Sequence, residues 1–390
     1  MDALIKAPNL DTLSGMLSDL INGAVELLDI SPHLHETAVE RYEEVGAWLA
    51  DNGGTDWKIY PQGSFLLGTV VRPFRLTGEY DIDLVCWLPL AKESTTQQEL
   101  KDRVGGHLTA YRRWKVRQGH ADSPLNIESS RRCWQLGYYG FHLDVLPSIA
   151  DIERPPTGIL LTDKNLRAWQ RSNPRGYAAW FQDQARPRRV IEAKGHPGVA
   201  DVPAWQTRNT LQRVVQVLKW HTMLMFEDDP DNRPPSILVT TLAAHAYQSD
   251  IDLFTALRNV LDGMPHFITK PGGTWWVPNP AHQGENFTDK WNEYPERRVA
   301  FYRWFDEIRR LVDGLAAMEG KGYRDVFARI TESFDRAPMH ASVQRVAARL
   351  GSHSSDLRLD RTGALSASAT ATGPHTGRHT FYGQHPAPRS

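Results

Sequence analysis

Apolar positions change their period along this chain, and each change marks a different kind of structure. At 11–29 and 32–51 they recur at helical spacing; Ser31 is suited to cap the second helix, Pro32 to begin it and Gly53-Gly54 to stop it. The pattern then becomes strand-like to about Pro147, with alternating runs EYDIDLV at 79–85 and FHLDVLP at 141–147. A helical stretch at 97–118 interrupts these two runs. After Pro155-Pro156 the spacing is mainly helical, at 207–227, 235–247, 252–261, 297–319 and 323–333, and loops rich in Pro, Gly and Trp, notably 265–280, separate the segments. Beyond about Ser352 the chain is rich in Ser, Thr, Gly and His with few large apolar residues, which predicts a flexible tail.

The alternation carries chemistry. Residues i and i+2 of a strand face the same way, so Asp81 and Asp83 present both carboxylates to one site, while Ile82, Leu84 and Val85 are expected to supply the buried side. Asp144 lies in the second alternating run, and a neighbouring strand can bring it beside the first pair. Three hard oxygen donors suit Mg²⁺ or Mn²⁺. Upstream, Gly63-Ser64 follows a strand end at Tyr60-Pro61-Gln62 and precedes apolar Phe65-Leu66-Leu67, so Ser64 is expected to cap a helix whose free N–H groups form an anion site. Asp-x-Asp alone also fits a solvated strand face, and Gly-Ser alone signals little. Together with a distant strand aspartate they read as a phosphate turn and a two-metal carboxylate set facing a nucleoside triphosphate, which points to nucleotidyl transfer.

Length and composition fit this reading. A chain of 390 residues has material for two or three lobes. Lys and Arg total 45 against 46 Asp and Glu, so no global basic excess favours a nucleic acid as obligate partner, and the short basic clusters at Arg131-Arg132 and at 186–189 read as solvated faces. The two cysteines, Cys86 and Cys133, lie in strand-like runs and are expected to be small buried residues; they exclude a disulfide framework and a four-ligand zinc site. With no signal-peptide pattern and no apolar run long enough to span a membrane, the expectation is a cytoplasmic enzyme. His142 shares a strand face with Asp144 and reads as an ordinary strand histidine or a supporting group near the site. Residues 314–322 superficially match a phosphate-binding loop, but the glycine spacing is one too long and no Ser or Thr follows Lys321.

These motifs resemble the polymerase-beta-like nucleotidyltransferases and, within them, the cGAS/DncV-like nucleotidyltransferases of bacterial antiphage signalling. Further stretches extend the resemblance over roughly residues 10–350: Arg132-Cys133, Trp169, NPRGY at 173–177 with Trp180-Phe181, 211–220 with 235–247, and ENFTDKW at 285–291. It implies an α+β fold, a mixed-sheet nucleotidyltransferase core clasped by a C-terminal helical lobe. The corresponding division is 1–155 for N-terminal helices plus core, 156–351 for the helical lobe completing the nucleotide cleft, and 352–390 for the tail. The resemblance implies a cyclic di- or trinucleotide synthase that joins NTPs, ATP among them, and releases pyrophosphate. Asp81, Asp83 and Asp144 would be catalytic and hold Mg²⁺ or Mn²⁺; Gln62, Gly63, Ser64, Lys219 and Ser236 would bind nucleotide. Lys219 adjoins the apolar stripe of Leu211, Val214, Val215 and Leu218, at the place where the family's lysine touches the donor triphosphate. The family's common Lys-Arg-His is Lys219-Trp220-His221 here. The resemblance also implies a downstream effector that binds the product, and a conjugation or regulatory partner reached through the tail ending at Ser390. Competing readings are a template-independent transferase acting on RNA or protein, and a nucleotide-binding pseudoenzyme.

Overall fold

In a computed structural model, residues 12–54, 56–72, 79–163, 169–185, 208–250, 252–319, 321, 323–334, 337–353, 358–359 and 365–366 are described. The elements, in chain order, are α1 (Leu13–Glu26), α2 (Pro32–Gly53), β1 (Lys58–Pro61), α3 (Gly63–Leu67), β2 (Tyr80–Leu88), α4 (Gln97–Arg117), β3 (Asn126–Ser129), β4 (Trp134–Tyr138), β5 (Phe141–Ala150), β6 (Ile159–Leu161), β7 (Gln170–Ser172) and α5 (Pro174–Gln184). There follow α6 (Thr210–Met225), α7 (Ser236–Ala246), α8 (Leu253–Gly263), β8 (Pro278–Asn279), β9 (His282–Asn286), α9 (Asp289–Glu293), α10 (Pro295–Ala316), α11 (Tyr323–Ser333), α12 (Ala337–His353) and a short ladder of β10 (Arg358–Leu359) with β11 (Leu365–Ser366). Apart from the end of α12 and this ladder, the tail lies outside the described residues.

The chain forms two compact units, residues 28–312 and residues 1–27 with 313–390. In the second, α1 packs on α12, and Met16, Leu20, Ile21, Met339 and Val346 on these helices are buried. Gly23 leaves room for Ser342 and Arg345, and the Ser342 hydroxyl donates to the Leu20 carbonyl at 2.7 Å.

The larger unit is built on a mixed seven-stranded sheet in the order β1-β2-β5-β4-β3, with β6 joining β5 and β7 joining β6. Only β2 and β5 run parallel, paired along their length from Tyr80↔Phe141 to Leu88↔Ile149. Even-numbered residues of β2 (Ile82, Leu84, Cys86, Leu88) and odd-numbered residues of β5 (Phe141, Leu143, Val145, Ile149) form the main core with residues of α2 and α4. The cap expected at Ser31 is present, and α4 has one that was not expected. The Ser31 hydroxyl accepts from the Leu34 N–H, and a Thr96–Glu99 capping box starts α4.

Several expectations change. Val85 lies on the Asp83 face, because the period of two is strict, and joins a small second cluster with Tyr60, Cys133, Leu146, Ile159 and Leu161. β5 does not close at Pro147 but runs to Ala150. On that edge β4 pairs up to Val145 and β6 begins at Ser148, so Pro147 falls in a gap between ladders. Helices α5 and α12 were not legible as periodic runs.

Candidate active site

The parallel register of β2 and β5 brings the acidic residues together. Asp81 lies opposite His142 and Asp83 opposite Asp144, all on the face away from the main core. Ligand atoms of Asp81, His142 and Asp144 lie within 4.8 Å of one another. The His142 Nε2 is 3.4 Å from Asp81 Oδ1 and 4.0 Å from Asp144 Oδ1, and its Nδ1 is 3.5 Å from Glu79 Oε2. This acidic surround, led by the hydrogen bond to Asp81, raises the imidazole to about 8.

Asp144 is oriented by two groups on its neighbouring strand. Gln135 Nε2 donates to its Oδ1 at 3.1 Å and Cys133 Sγ to its Oδ2 at 3.2 Å. Burial, helped by Asp144, pushes the Cys133 thiol up to about 12, so it remains a neutral donor. Burial and then the charge of Asp81 raise Asp144 above the usual carboxylate range.

Asp83 stands apart from the Asp81–His142–Asp144 group. Its carboxylate abuts Gly63, where any side chain would collide with it, and it hydrogen-bonds the Gln62 side chain. Gly63 also needs its positive φ of 64°. Burial, followed by repulsion from Asp81 and Asp144, lifts Asp83 well above the ordinary range. Converging hard oxygen donors that resist ionising together are the chemistry a divalent cation relieves, so these residues fit such an ion.

The turn beside Asp83 differs from expectation in one respect. Gln62, in extended conformation, occupies the N-cap position of α3 without a side-chain cap, and Ser64 is the second helical residue. The cap thus falls two residues before Ser64, and the helix begins at the left-handed Gly63. Gly68, also left-handed at φ 67°, ends it.

Lys219 is half-buried rather than solvent-facing, and its Nζ donates to the Thr69 carbonyl at 2.8 Å. Burial lowers the amine to about 8, against the upward pull of Asp81 and Asp83, so its charge is exerted on the acidic site. Ser236 is exposed at the first position of α7, where Pro235, not Ser236, is the N-cap residue. Trp220, in place of the family's arginine, is a fully buried core residue.

Sequence reasoning missed the supporting roles of Gln135 and Cys133. Their signal was spacing: two apart at the start of a strand, they share one face.

Residues 57–147 match the family described as cyclic GMP-AMP synthase DncV-like, nucleotidyltransferase domain. A c-di-GMP synthase of Roseivirga ehrenbergii is 29% identical over 276 residues, 68% of this chain and 71% of that protein. The cyclic dinucleotide synthase CdnG of Bradyrhizobium diazoefficiens is 26% identical over 345 residues, covering 80% and 77%. The solved structure of that CdnG in complex with GTP shares the fold at TM-score 0.67 and 20% identity, over 87% of this chain and 99% of that one. Escherichia coli DncV in its 3′-deoxy GTP bound form superposes at TM-score 0.51 and 16% identity, over 85% and 90%. Residues 57–147 thus carry the likeness to the DncV-like nucleotidyltransferase domain, and the chain as a whole is similar to cyclic dinucleotide synthases.

Proposed function

We propose that this enzyme joins two nucleoside triphosphates into a cyclic dinucleotide, releasing pyrophosphate at each transfer. The observation that carries the reading is the parallel pairing that sets Asp83 against Asp144 and Asp81 against His142. The two curated relatives, both cyclic dinucleotide synthases by name, support it. In each transfer a ribose hydroxyl oxygen of the acceptor bonds to the donor's α-phosphorus. The bond from that phosphorus to the bridging oxygen breaks, and pyrophosphate leaves with the electron pair. A second transfer within the linear intermediate closes the ring.

Asp81, Asp83 and Asp144 would hold Mg²⁺ or Mn²⁺, which when bound supplies charge stabilisation at the α-phosphate and the leaving group. Asp144, fixed by Gln135 and Cys133, orients the attacking hydroxyl and accepts its proton. Gln62 holds Asp83 in place. The Gly63-Ser64 backbone and the Ser64 hydroxyl bind the β- and γ-phosphates, and Lys219 and Ser236 approach the same triphosphate. Lys219, whose amine burial lowers to about 8, would gain its full charge from that anion.

The decisive experiment incubates the purified protein with four labelled NTPs and Mg²⁺ or Mn²⁺, then treats the products with phosphatase. Small phosphatase-resistant products are expected. Label retained on RNA or on protein would favour the macromolecular transferase instead, and no NTP consumption would favour a pseudoenzyme. The same reading makes the product a signal for an effector in antiphage defence inside the cytoplasm, and leaves the tail as the arm through which a conjugation partner is reached.

A further inference from the structure

Helix α6 carries a second stripe beside its apolar one. Gln212, Gln216 and Lys219, spaced four and three apart, share one side of the helix. Each donates to a backbone carbonyl at the end of α3 or in the segment that follows it. Gln212 Nε2 reaches the Leu67 carbonyl at 2.9 Å, Gln216 Nε2 the Val70 carbonyl at 2.8 Å and Lys219 Nζ the Thr69 carbonyl at 2.8 Å. The segment is also tied to α3 itself, since the Thr69 N–H donates to the Ser64 carbonyl at 2.9 Å.

The stripe is anchored in turn. The Gln212 Oε1 accepts from the Asn209 N–H at 2.9 Å in a capping box that starts α6. The Gln216 Oε1 accepts from Arg213 Nη1 at 3.1 Å, and Arg208, one turn before Gln212, grips buried Asp29 through Nε and Nη2, both at 3.1 Å. Gly68 permits the approach, because a Cβ there would collide with Gln212 and Arg208.

We propose that Gln212 and Gln216 are positioning residues: their amide donors fix the 67–70 carbonyls and thereby hold the Gly63-Ser64 turn in the geometry that receives the triphosphate. A carbonyl at the exit of a five-residue helix has no continuing turn to satisfy it, so the direction of the segment is set by whatever donors meet it. Here those donors come from α6, the helix that also carries Lys219. The turn and the lysine, two groups assigned to the same triphosphate, are therefore registered to each other through one rigid element. This inference rests on the proposed nucleotide site.

Gln212 permits a clean test because its two amide atoms do different work. Gln212→Glu keeps the capping acceptor but sets a carboxylate against the Leu67 carbonyl, whereas Gln212→Lys keeps a donor and loses the capping acceptor. In full-length protein three quantities are read: thermal midpoint, amide hydrogen exchange over residues 63–70, and affinity for a non-hydrolysable NTP analogue, with KM and kcat alongside. Gln212→Glu is expected to speed exchange over 63–70 and weaken analogue binding and raise KM by about tenfold, with kcat changed less than about threefold and the midpoint near wild type. Gln212→Lys is expected to lower the midpoint while keeping analogue affinity within about threefold of wild type. Unchanged exchange in Gln212→Glu, or faster exchange with unchanged affinity, overturns the positioning role. Wild-type protein that binds the analogue but makes no cyclic product would count against the synthase reading and leave the positioning result intact.

Discussion

The two faces of β2 and β5 are made from alternate residues of the same strands, yet they are organised by opposite forces. The even residues of β2 and odd residues of β5 bury Ile82, Leu84, Leu143 and Val145 completely, and water exclusion holds them. The other face gathers Asp81, Asp83, His142 and Asp144, and its carboxylates disfavour each other's charge. The first face stabilises the fold and the second draws on that stability, as sites that hold like charges together must. Over residues 81–84 and 142–145, stability and turnover should therefore separate by residue parity.

The largest separation is expected between neighbours in the chain. Asp83→Asn should lower NTP turnover by about a thousandfold, since it removes a carboxylate from the charge-stabilising set, while leaving metal-free stability equal or higher. Leu84→Ala should instead cost about 2–5 kcal/mol of unfolding free energy by opening a cavity in the core, with the folded fraction still active. Denaturant melts and pyrophosphate release measured on both variants check this. An Asp83→Asn protein that keeps turnover would remove the acidic face from the mechanism.

That parity was legible in the sequence, because alternation in a strand is a local rule and both acidic runs obey it over several residues. Ser31 and the helices over α2, α4, α6 and α7 were legible because their signals are local too. What escaped depended on partners distant in the chain. Val85 was assigned to the core from its apolar character, but parity puts it with Asp83. The start of α3 was placed at Ser64, since nothing local shows that Gly63 takes a left-handed conformation against Asp83. Gln212 and Gln216 read as the polar side of an amphipathic helix. Their function appears only when residues 67–70 are brought beside them.

A smaller effect sharpens the contrast between the acidic face and the helix opposite it. Lys219→Ala should raise KM for NTP by about tenfold or more with a modest loss of kcat, because a desolvated charge on the triphosphate is lost while the carboxylates remain. Since burial lowers Lys219 to about 8, wild-type affinity for an NTP analogue should fall as pH rises above that value, by at most about tenfold per unit for one group. The Lys219→Ala protein should lack this dependence. Equal pH profiles from titration calorimetry would place the lysine outside the nucleotide site.

The smallest effect concerns stability without metal, and its sign follows from the site's own charges. Asp83 and Asp144 are raised in the folded protein, so their contribution is fully present below the unfolded carboxylate value and is lost as pH rises through the folded one. His142, raised from 6.5 to about 8, contributes stability below 6.5 that disappears on reaching 8. Lys219, lowered from 10.5 to about 8, has the opposite sense and returns stability only above 8. Chelator-treated wild type should therefore melt at a lower temperature at pH 8 than at pH 6. Asp83→Asn should flatten the part contributed by the carboxylates, and His142→Gln the part between 6.5 and 8. The core-face variant Leu84→Ala should melt lower at every pH with the wild-type slope, because no charge has changed. If Asp83→Asn and Leu84→Ala give parallel curves, mutual repulsion of the carboxylates is not what separates the two faces.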